Sequence, residues 1–219
     1  MKDKILTTLL AIFVVLLVIT FSIGLPIYVR AFYYMQIDSL DLVQRTGHTK
    51  EEIKQGYDEI LDFLTLPGKE YGTGVFKSSE EGEGHFRDCK GLFTLNLVIL
   101  IISFVGTASL VVLNKLKFYK ICRPFGYNFL LSCGASTLAL FATLGGICAI
   151  NFDRAFEIFH AIFFPGKDNW LFNPYKDEII LAMPQEFFMN CAILIASSII
   201  LISIGFIIFG IIEKRKKSK

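Results

Sequence analysis

The long apolar stretches of this sequence lack ionisable residues. Of the 219 residues, 53% are hydrophobic. Four apolar runs, at about 5–27, 91–113, 126–150 and 187–212, contain no Asp, Glu, Lys, Arg or His. Each run is long enough to cross about 30 Å of hydrocarbon as a helix. A transporter or channel usually carries an ionisable residue in mid-membrane, so the sequence argues against both.

Charge is distributed unequally between the connections. The two termini and the short connection 114–125 carry eleven basic and two acidic residues, whereas the long connections 28–90 and 151–186 carry eleven basic and eighteen acidic residues. The positive-inside rule therefore places both termini and 114–125 in the cytoplasm. We predict one all-α membrane domain over 1–219, with four transmembrane helices and two helical extracytoplasmic loops. The net charge of +2 gives no reason to expect a nucleic-acid partner.

The sequence also lacks several motifs that would indicate a metal site, a serine nucleophile, a disulfide or a cleaved signal peptide. The three histidines show no close metal-ligand spacing, so no metal site is predicted. No Gly-x-Ser-x-Gly elbow or Ser-x-x-Lys pair lies outside the runs, which argues against a serine acyl-enzyme. Cys89 is the one cysteine at the outer boundary of the predicted spans. It has no second outer cysteine to pair with, so no outer disulfide is predicted. No small-x-small cleavage site follows the first run, which is expected to be an uncleaved span.

The first outer loop contains a helix signal. Thr49 and Glu52 form a Thr-x-x-Glu capping box, which predicts an amphipathic helix that ends at Pro67-Gly68. Residues 68–84 are rich in Gly with Ser and Glu, and are predicted to form a mobile loop.

The second outer loop is predicted to contain a helix from Asn151 to Phe164. At about 100° per residue, its aromatic residues form one narrow stripe: Phe152, Phe156, Phe159 and Phe163. His160 projects beside this stripe, on the same face as Asp153 and Glu157. Trp170, farther along, suits an interfacial aromatic belt.

His85 and His160 are the candidate catalytic residues. Both lie just outside predicted spans, among charged and aromatic residues. An imidazole titrates near pH 6.5 and can take or give a proton at neutral pH, so two of them at one membrane face predict proton transfer on a substrate in the lipid. The alternative is a histidine without a catalytic role at the membrane interface, whose ring forms hydrogen bonds with water or with a charged neighbour such as Glu157. His48 is predicted to be a solvated surface residue.

At these positions the sequence resembles the lipoprotein intramolecular transacylases, a family of bacterial four-span membrane proteins. The resemblance covers nearly the whole chain and is carried by three segments: His85-x-x-Asp88, Arg154-x-x-x-x-Phe159-His160-x-Ile162-Phe163-Phe164 with Trp170 downstream, and Pro184-x-x-Phe187-Phe188.

The resemblance implies a reaction and a location. The substrate would be a diacylated lipoprotein, whose N-terminal cysteine carries a diacylglyceryl thioether and a free α-amine. The sn-2 acyl chain would move to that amine and leave the lyso form, without a cofactor. The protein would span the bacterial plasma membrane several times, in contact with membrane lipid, with its active site on the extracytoplasmic face; its oligomeric state is open.

Roles for the site residues follow from this reaction. The α-ammonium, with a pKa of about 7.7–8.0, must lose a proton before it attacks, so His85 and His160 would form the acid–base pair. The supporting groups would stabilise negative charge or orient an imidazole: Arg87 or Arg154 for the charge, and Asp88, Asp153 or Glu157 for the orientation. The expected substrate-binding residues are Phe159, Phe163 and Trp170. Cys89 as an acyl-carrying nucleophile is a further possibility.

Two other function classes are open to the same residues. A non-enzymatic membrane sensor or accessory protein would bind a partner through its outer loops and use its histidines to report pH. An intramembrane hydrolase would share the histidine chemistry but release free fatty acid.

Overall fold

The structure is a computed structural model that describes residues 1–123 and 127–216, and every regular element within these ranges is a helix. In chain order these helices are α1 (Lys2–Tyr28), α2 (Ala31–Tyr34), α3 (Gln36–Ser39), α4 (Leu42–Thr46), α5 (Lys50–Thr65), α6 (Glu80–Lys115), α7 (Phe129–Ile150), α8 (Phe152–Phe163), α9 (Ile179–Ala182) and α10 (Gln185–Lys216).

Four of the described helices, α1, α6, α7 and α10, are long and apolar enough to cross a membrane. The predicted all-α class with four spans is therefore confirmed. The predicted start of the third span at 126, and part of the connection 114–125, lie outside the described residues. The cytoplasmic placement of the termini and the single membrane domain stay predictions.

Helix α6 begins earlier than the sequence suggested. Residues 80–84, which we predicted to be part of a mobile loop, form its first turn, so the loop prediction is wrong there. The Ser79 hydroxyl accepts a hydrogen bond from the Gly82 backbone N–H at 3.0 Å, and three glutamates lie near the positive end of the helix dipole.

The length of α6 places its first turns outside the hydrocarbon. Its 36 residues extend about 54 Å at about 1.5 Å per residue, whereas the hydrocarbon core is about 30 Å thick. The charged residues of α6 are concentrated in 80–90, and the apolar run 91–113 follows them. We therefore take 91–113 as its membrane-spanning segment, which leaves residues 80–90 outside the membrane.

Two compact units are distinguished by their internal contacts. The first comprises Met1–Ile23, Asn96–Ile150 and Leu194–Lys219. Its buried cluster contains Leu10, Val14, Leu110, Tyr119 and Cys133. A Cβ added at Gly134 of α7 would lie 2.6 Å from the Ser203 carbonyl oxygen of α10, so glycine permits this close approach of two helix backbones.

The second unit comprises Gly24–Leu95 and Asn151–Ile193 and contains the predicted outer helices. Helix α5 begins with the predicted capping box at Thr49, which confirms that prediction. The rings of Tyr33 and Tyr57 stack with centroids 3.7 Å apart, and the Tyr33 hydroxyl donates to the Ala182 carbonyl at 2.8 Å. These contacts pack α2, α5 and α9 together. Helices α2, α3, α4 and α9 were not predicted, because four or five residues show no helical periodicity.

We expect Gly56→Ala to lower the melting temperature of the protein. A Cβ at Gly56 of α5 would lie 2.6 Å from the Phe76 ring and 2.8 Å from the Thr73 carbonyl oxygen, and such overpacking costs about 1–3 kcal/mol. Thermal unfolding of the detergent-solubilised protein, followed by intrinsic fluorescence, measures the change. Gly91→Ala is the control, because nothing lies within 4 Å of its added Cβ and alanine favours a helix. Equal melting temperatures for the two variants would contradict the packing argument.

Candidate active site

Helix α8 positions the first candidate histidine, His160. The Asn151 side chain accepts a hydrogen bond from the Arg154 backbone N–H at 2.9 Å and caps the helix. The helix ends at Phe163, and Gly166 follows with a φ of 74°, a conformation that glycine adopts easily. The predicted helix in the second outer loop is therefore confirmed.

His160 is buried, with 6% of its surface exposed. Its Nδ1 lies 2.8 Å from the Phe156 carbonyl oxygen, which can only accept a hydrogen bond, so Nδ1 donates and Nε2 keeps its lone pair. The imidazole stacks on Trp170 with ring centroids 4.3 Å apart. Burial lowers the pKa of His160, although the hydrogen bond to Phe156 opposes this effect, so the ring is neutral at pH 7.

His85 lies on α6, before the membrane-spanning segment, and is also 6% exposed. Its Nε2 is 3.4 Å from the Cys89 sulfur, one helical turn farther along. Burial lowers the pKa of His85 to about 4, and His160 adds to the shift, while Asp88 opposes it. His85 is therefore neutral at pH 7 as well.

The two imidazoles lie side by side, with ring centroids 5.7 Å apart. His85 and His160 were predicted to lie at one membrane face, and the second unit brings their rings together. Phe164 lies 4.9 Å from the ring of His85 and 5.7 Å from that of His160, and Phe172 lies 5.5 Å from His85, all between centroids. Aromatic rings thus surround the pair and desolvate it.

Asp88, three residues after His85, binds a polar side chain that was not predicted to belong to the site, Asn169. Its carboxylate accepts a hydrogen bond from the Lys167 ammonium at 2.6 Å and another from the Asn169 amide at 3.3 Å. Asn169 Oδ1 and His85 Nδ1 are both buried, and neither has a hydrogen-bond partner among the residues that the structure describes. Asn169 nevertheless raises the pKa of His85, because a nearby amide oxygen that can accept a hydrogen bond from the ring favours the protonated form. The adjacent Trp170 was the one signal in the sequence that pointed to this segment.

Most of the predicted supporting charges bind partners other than an imidazole. On α6, Arg87 pairs with Glu83, and residues two apart on a helix do not face each other, so Arg87 points away from His85. On α8, Arg154 donates to Glu157 at 2.7 Å. Asp153, also on α8, accepts a hydrogen bond from the Gln185 side chain. Among the predicted orienting carboxylates, Asp88 is the one for which the structure indicates an influence on an imidazole.

Phe159 and Phe163, predicted to bind substrate, form an apolar surface beside His160. Their ring centroids are 4.7 Å apart, and the Phe159 ring lies 5.4 Å from that of His160. Both side chains are about half exposed, at 46% and 48%. An acyl chain could therefore lie against them, and their role stays a prediction.

Comparison with known proteins identifies the family. The sequence model described as the lipoprotein intramolecular transacylase Lit matches residues 8–188. The chain belongs to this family. It is therefore an acyltransferase, and the non-enzymatic alternative is not supported.

Solved structures agree with this assignment. A membrane-integral lipoprotein intramolecular transacylase Lit from Bacillus cereus is 27% identical, with a TM-score of 0.87, over 100% of this chain and 99% of the other. The same protein with the mutation H85R is 25% identical over 100% and 95% of the two chains, and with H85A it is 26% identical over 98% and 96%. Both variants have a TM-score of 0.80. No curated protein matches the chain.

We expect Asn169→Asp to move the acidic limb of the pH–rate profile toward higher pH. A carboxylate beside His85 favours the imidazolium and raises its pKa, by about 1–3 units for an opposite charge within about 4–6 Å. The neutral His85 ring, on which the pair of neutral imidazoles depends, is then protonated at a higher pH as the pH falls. Transacylase rates from pH 4.5 to 8 would test this. Asn173→Asp is the matched control: the side-chain oxygen of Asn173 accepts a hydrogen bond from the Tyr175 backbone N–H, which aspartate can preserve. Identical profiles for the two variants would exclude Asn169 from this role.

Proposed function

We propose that this transacylase moves the sn-2 acyl chain of a diacylated lipoprotein to the α-amine of its N-terminal cysteine, with His85 and His160 as the acid–base pair. The observation that carries the proposal is the pair of buried, neutral imidazoles with centroids 5.7 Å apart. A neutral imidazole accepts a proton from one atom and delivers it to another, which is what this reaction requires.

The proposed reaction conserves atoms. The amine nitrogen attacks the ester carbonyl and forms a tetrahedral intermediate, and the nitrogen loses a proton to an imidazole. The bond between the carbonyl carbon and the glyceryl oxygen then breaks, and the imidazolium returns the proton to that oxygen. Ester and amine become alcohol and amide. Because both groups belong to one molecule, a pocket that folds the substrate back on itself lowers the barrier through proximity.

We assign the base to His160. Its Nδ1–H is committed to the Phe156 carbonyl, so Nε2 is the nitrogen that can accept the amine proton. The lower pKa of His85 makes its neutral ring a weaker base than an ordinary imidazole. His85 suits the acid role of the pair, in which its N–H donates a hydrogen bond to the glyceryl oxygen as that oxygen gains negative charge and leaves.

The surroundings of the imidazoles favour acyl transfer over hydrolysis. Phe164, Phe172 and Trp170 line the pair, and an aromatic pocket that excludes water leaves the substrate amine as the available nucleophile. Phe159 and Phe163 would hold an acyl chain beside His160. The concentration of Lys and Arg in the termini and in the short connection 114–125 supports a site on the opposite, extracytoplasmic face of the bacterial plasma membrane.

Variants of a solved relative support the view that the fold does not depend on a histidine at position 85. The Bacillus cereus protein is named as a lipoprotein intramolecular transacylase, and its H85R and H85A variants still match this chain with TM-scores of 0.80. That protein therefore keeps its fold without its histidine 85. If His85 has the same place here, its replacement should change the chemistry without unfolding the chain.

We expect His85→Ala and His160→Ala each to lower the rate of lyso-lipopeptide formation by about 10²–10⁴-fold, the range for general acid–base catalysis. Mass spectrometry of a synthetic diacylated lipopeptide would detect an acyl group moved to nitrogen at unchanged total mass. His48→Ala is the matched control, because this histidine lies in the same unit but contacts Glu52 and Phe76. Wild-type rates for both active-site variants would refute the acid–base assignment, and loss of one acyl mass in the wild type would indicate hydrolysis.

We expect Cys89→Ala to retain transacylase activity within a few-fold of the wild type. Burial raises the pKa of the Cys89 thiol to about 12, so the nucleophilic thiolate is scarce at neutral pH. The test is a time course of the same lipopeptide assay, together with a search for an acylated protein by intact mass. A thioester on wild-type Cys89, together with an inactive alanine variant, would instead support the acyl-enzyme route.

A further inference from the structure

The first unit contains a cavity that plays no part in the proposed reaction. Its volume is about 810 Å³, within the range of about 300–1,000 Å³ typical of small-molecule sites. All of its lining residues belong to the first unit, on α1, α6, α7, α10 and the described part of the connection between α6 and α7. His85 and His160 belong to the second unit.

The walls of the cavity are apolar and elongated. Leu10, Val14 and Val18 contribute one wall from successive turns of α1, and Val111 and Phe206 contribute from α6 and α10. From Leu10 to Val18 the helix rises about 12 Å, at about 1.5 Å per residue. A narrow apolar surface of this length suits a flexible acyl chain.

The rim of the cavity is basic. Lys120, Arg123 and Lys214 line it together with one carboxylate, Glu213, to which the Asn128 amide donates a hydrogen bond at 2.6 Å. The cations therefore outnumber the carboxylates, and a ligand that places negative charge at this rim is favoured.

The connection that carries two of these cations is anchored to α1. The Lys120 backbone N–H donates to the Asp3 carboxylate at 3.3 Å, and the Cys122 backbone N–H donates to the Thr7 hydroxyl at 2.9 Å. The backbone thus presents Lys120 and Arg123 at a defined position above the apolar walls. The cavity and its charges form one site with an apolar interior and a cationic entrance.

We propose that this cavity binds one anionic phospholipid, with an acyl chain between α1, α6 and α10 and the phosphate at Lys120, Arg123 and Lys214. Basic pockets between transmembrane helices on the cytoplasmic side commonly bind lipid phosphates, and the positive-inside rule predicts that this end is cytoplasmic. The occupant is a membrane lipid held at a site separate from the acyl-transfer pocket.

Native mass spectrometry of the full-length protein tests the proposal, with phosphatidylglycerol and phosphatidylcholine of the same acyl chains as probes. We expect the wild type to retain one phosphatidylglycerol with an affinity at least about tenfold above that for phosphatidylcholine, because the choline cation of phosphatidylcholine offsets the phosphate charge that the three basic residues attract. Lys120→Gln combined with Arg123→Gln should remove this preference. Lys115→Gln, in an exposed basic residue outside the cavity, should preserve it.

A second pair of variants tests the apolar walls. Val111→Trp should block the cavity and abolish phosphatidylglycerol binding, whereas Val112→Trp, at the exposed neighbouring position outside the lining, should preserve it. The lipopeptide assay checks that each variant is folded. Equal binding of the two lipids by the wild type, equal binding by the two tryptophan variants, or occupation of the site by a second copy of the chain would each overturn the proposal. None of these outcomes bears on the role of His85 and His160.

Discussion

Burial of two imidazoles against each other is the constraint on which the candidate site depends. His85 and His160 cannot both be protonated at a centroid separation of 5.7 Å in a pocket of aromatic rings, because each charge would lose solvation and repel the other. The neutral rings can still accept and donate protons. The aromatic residues therefore have two effects: they hold the imidazoles in place, and they keep them in the protonation state that the proposed acyl transfer to an amine requires.

The two rings differ in their surroundings. The carbonyl of Phe156 binds Nδ1 of His160 from within the same helix, so the tautomer of that ring is set by local helical structure. His85 depends on tertiary contacts instead, because Asn169, itself bound to Asp88, reaches it from a segment about eighty positions away in the chain. Burial lowers the pKa of both rings, and nearby charges act on His85 in addition, so two identical side chains have different environments, as the proposed acid–base pair needs.

Local patterns in the chain predicted some elements correctly and missed others, for reasons that particular residues show. The capping box at Thr49 and the helix of residues 152–163 were predicted correctly, since a cap and a helical period involve neighbours in the chain. The beginning of α6 was missed because glycine and serine suggested a loop, although Ser79 caps a helix there. Asn169 was missed because one amide in a polar loop shows no pattern until the fold places it beside His85.

The sequence by itself determined the four apolar spans, the separation of basic and acidic connections, the two outer helices and the choice of His85 and His160. These features depend on the composition and the hydrophobic periodicity of short segments, because insertion into a bilayer and helix formation are governed by residues close together in the chain. The tertiary structure alone decided that the two imidazoles meet, that Arg87 and Arg154 pair with glutamates on their own helices, and that Asn169 joins the site. Contacts between distant segments depend on how helices pack, and no local pattern in the chain encodes those distances.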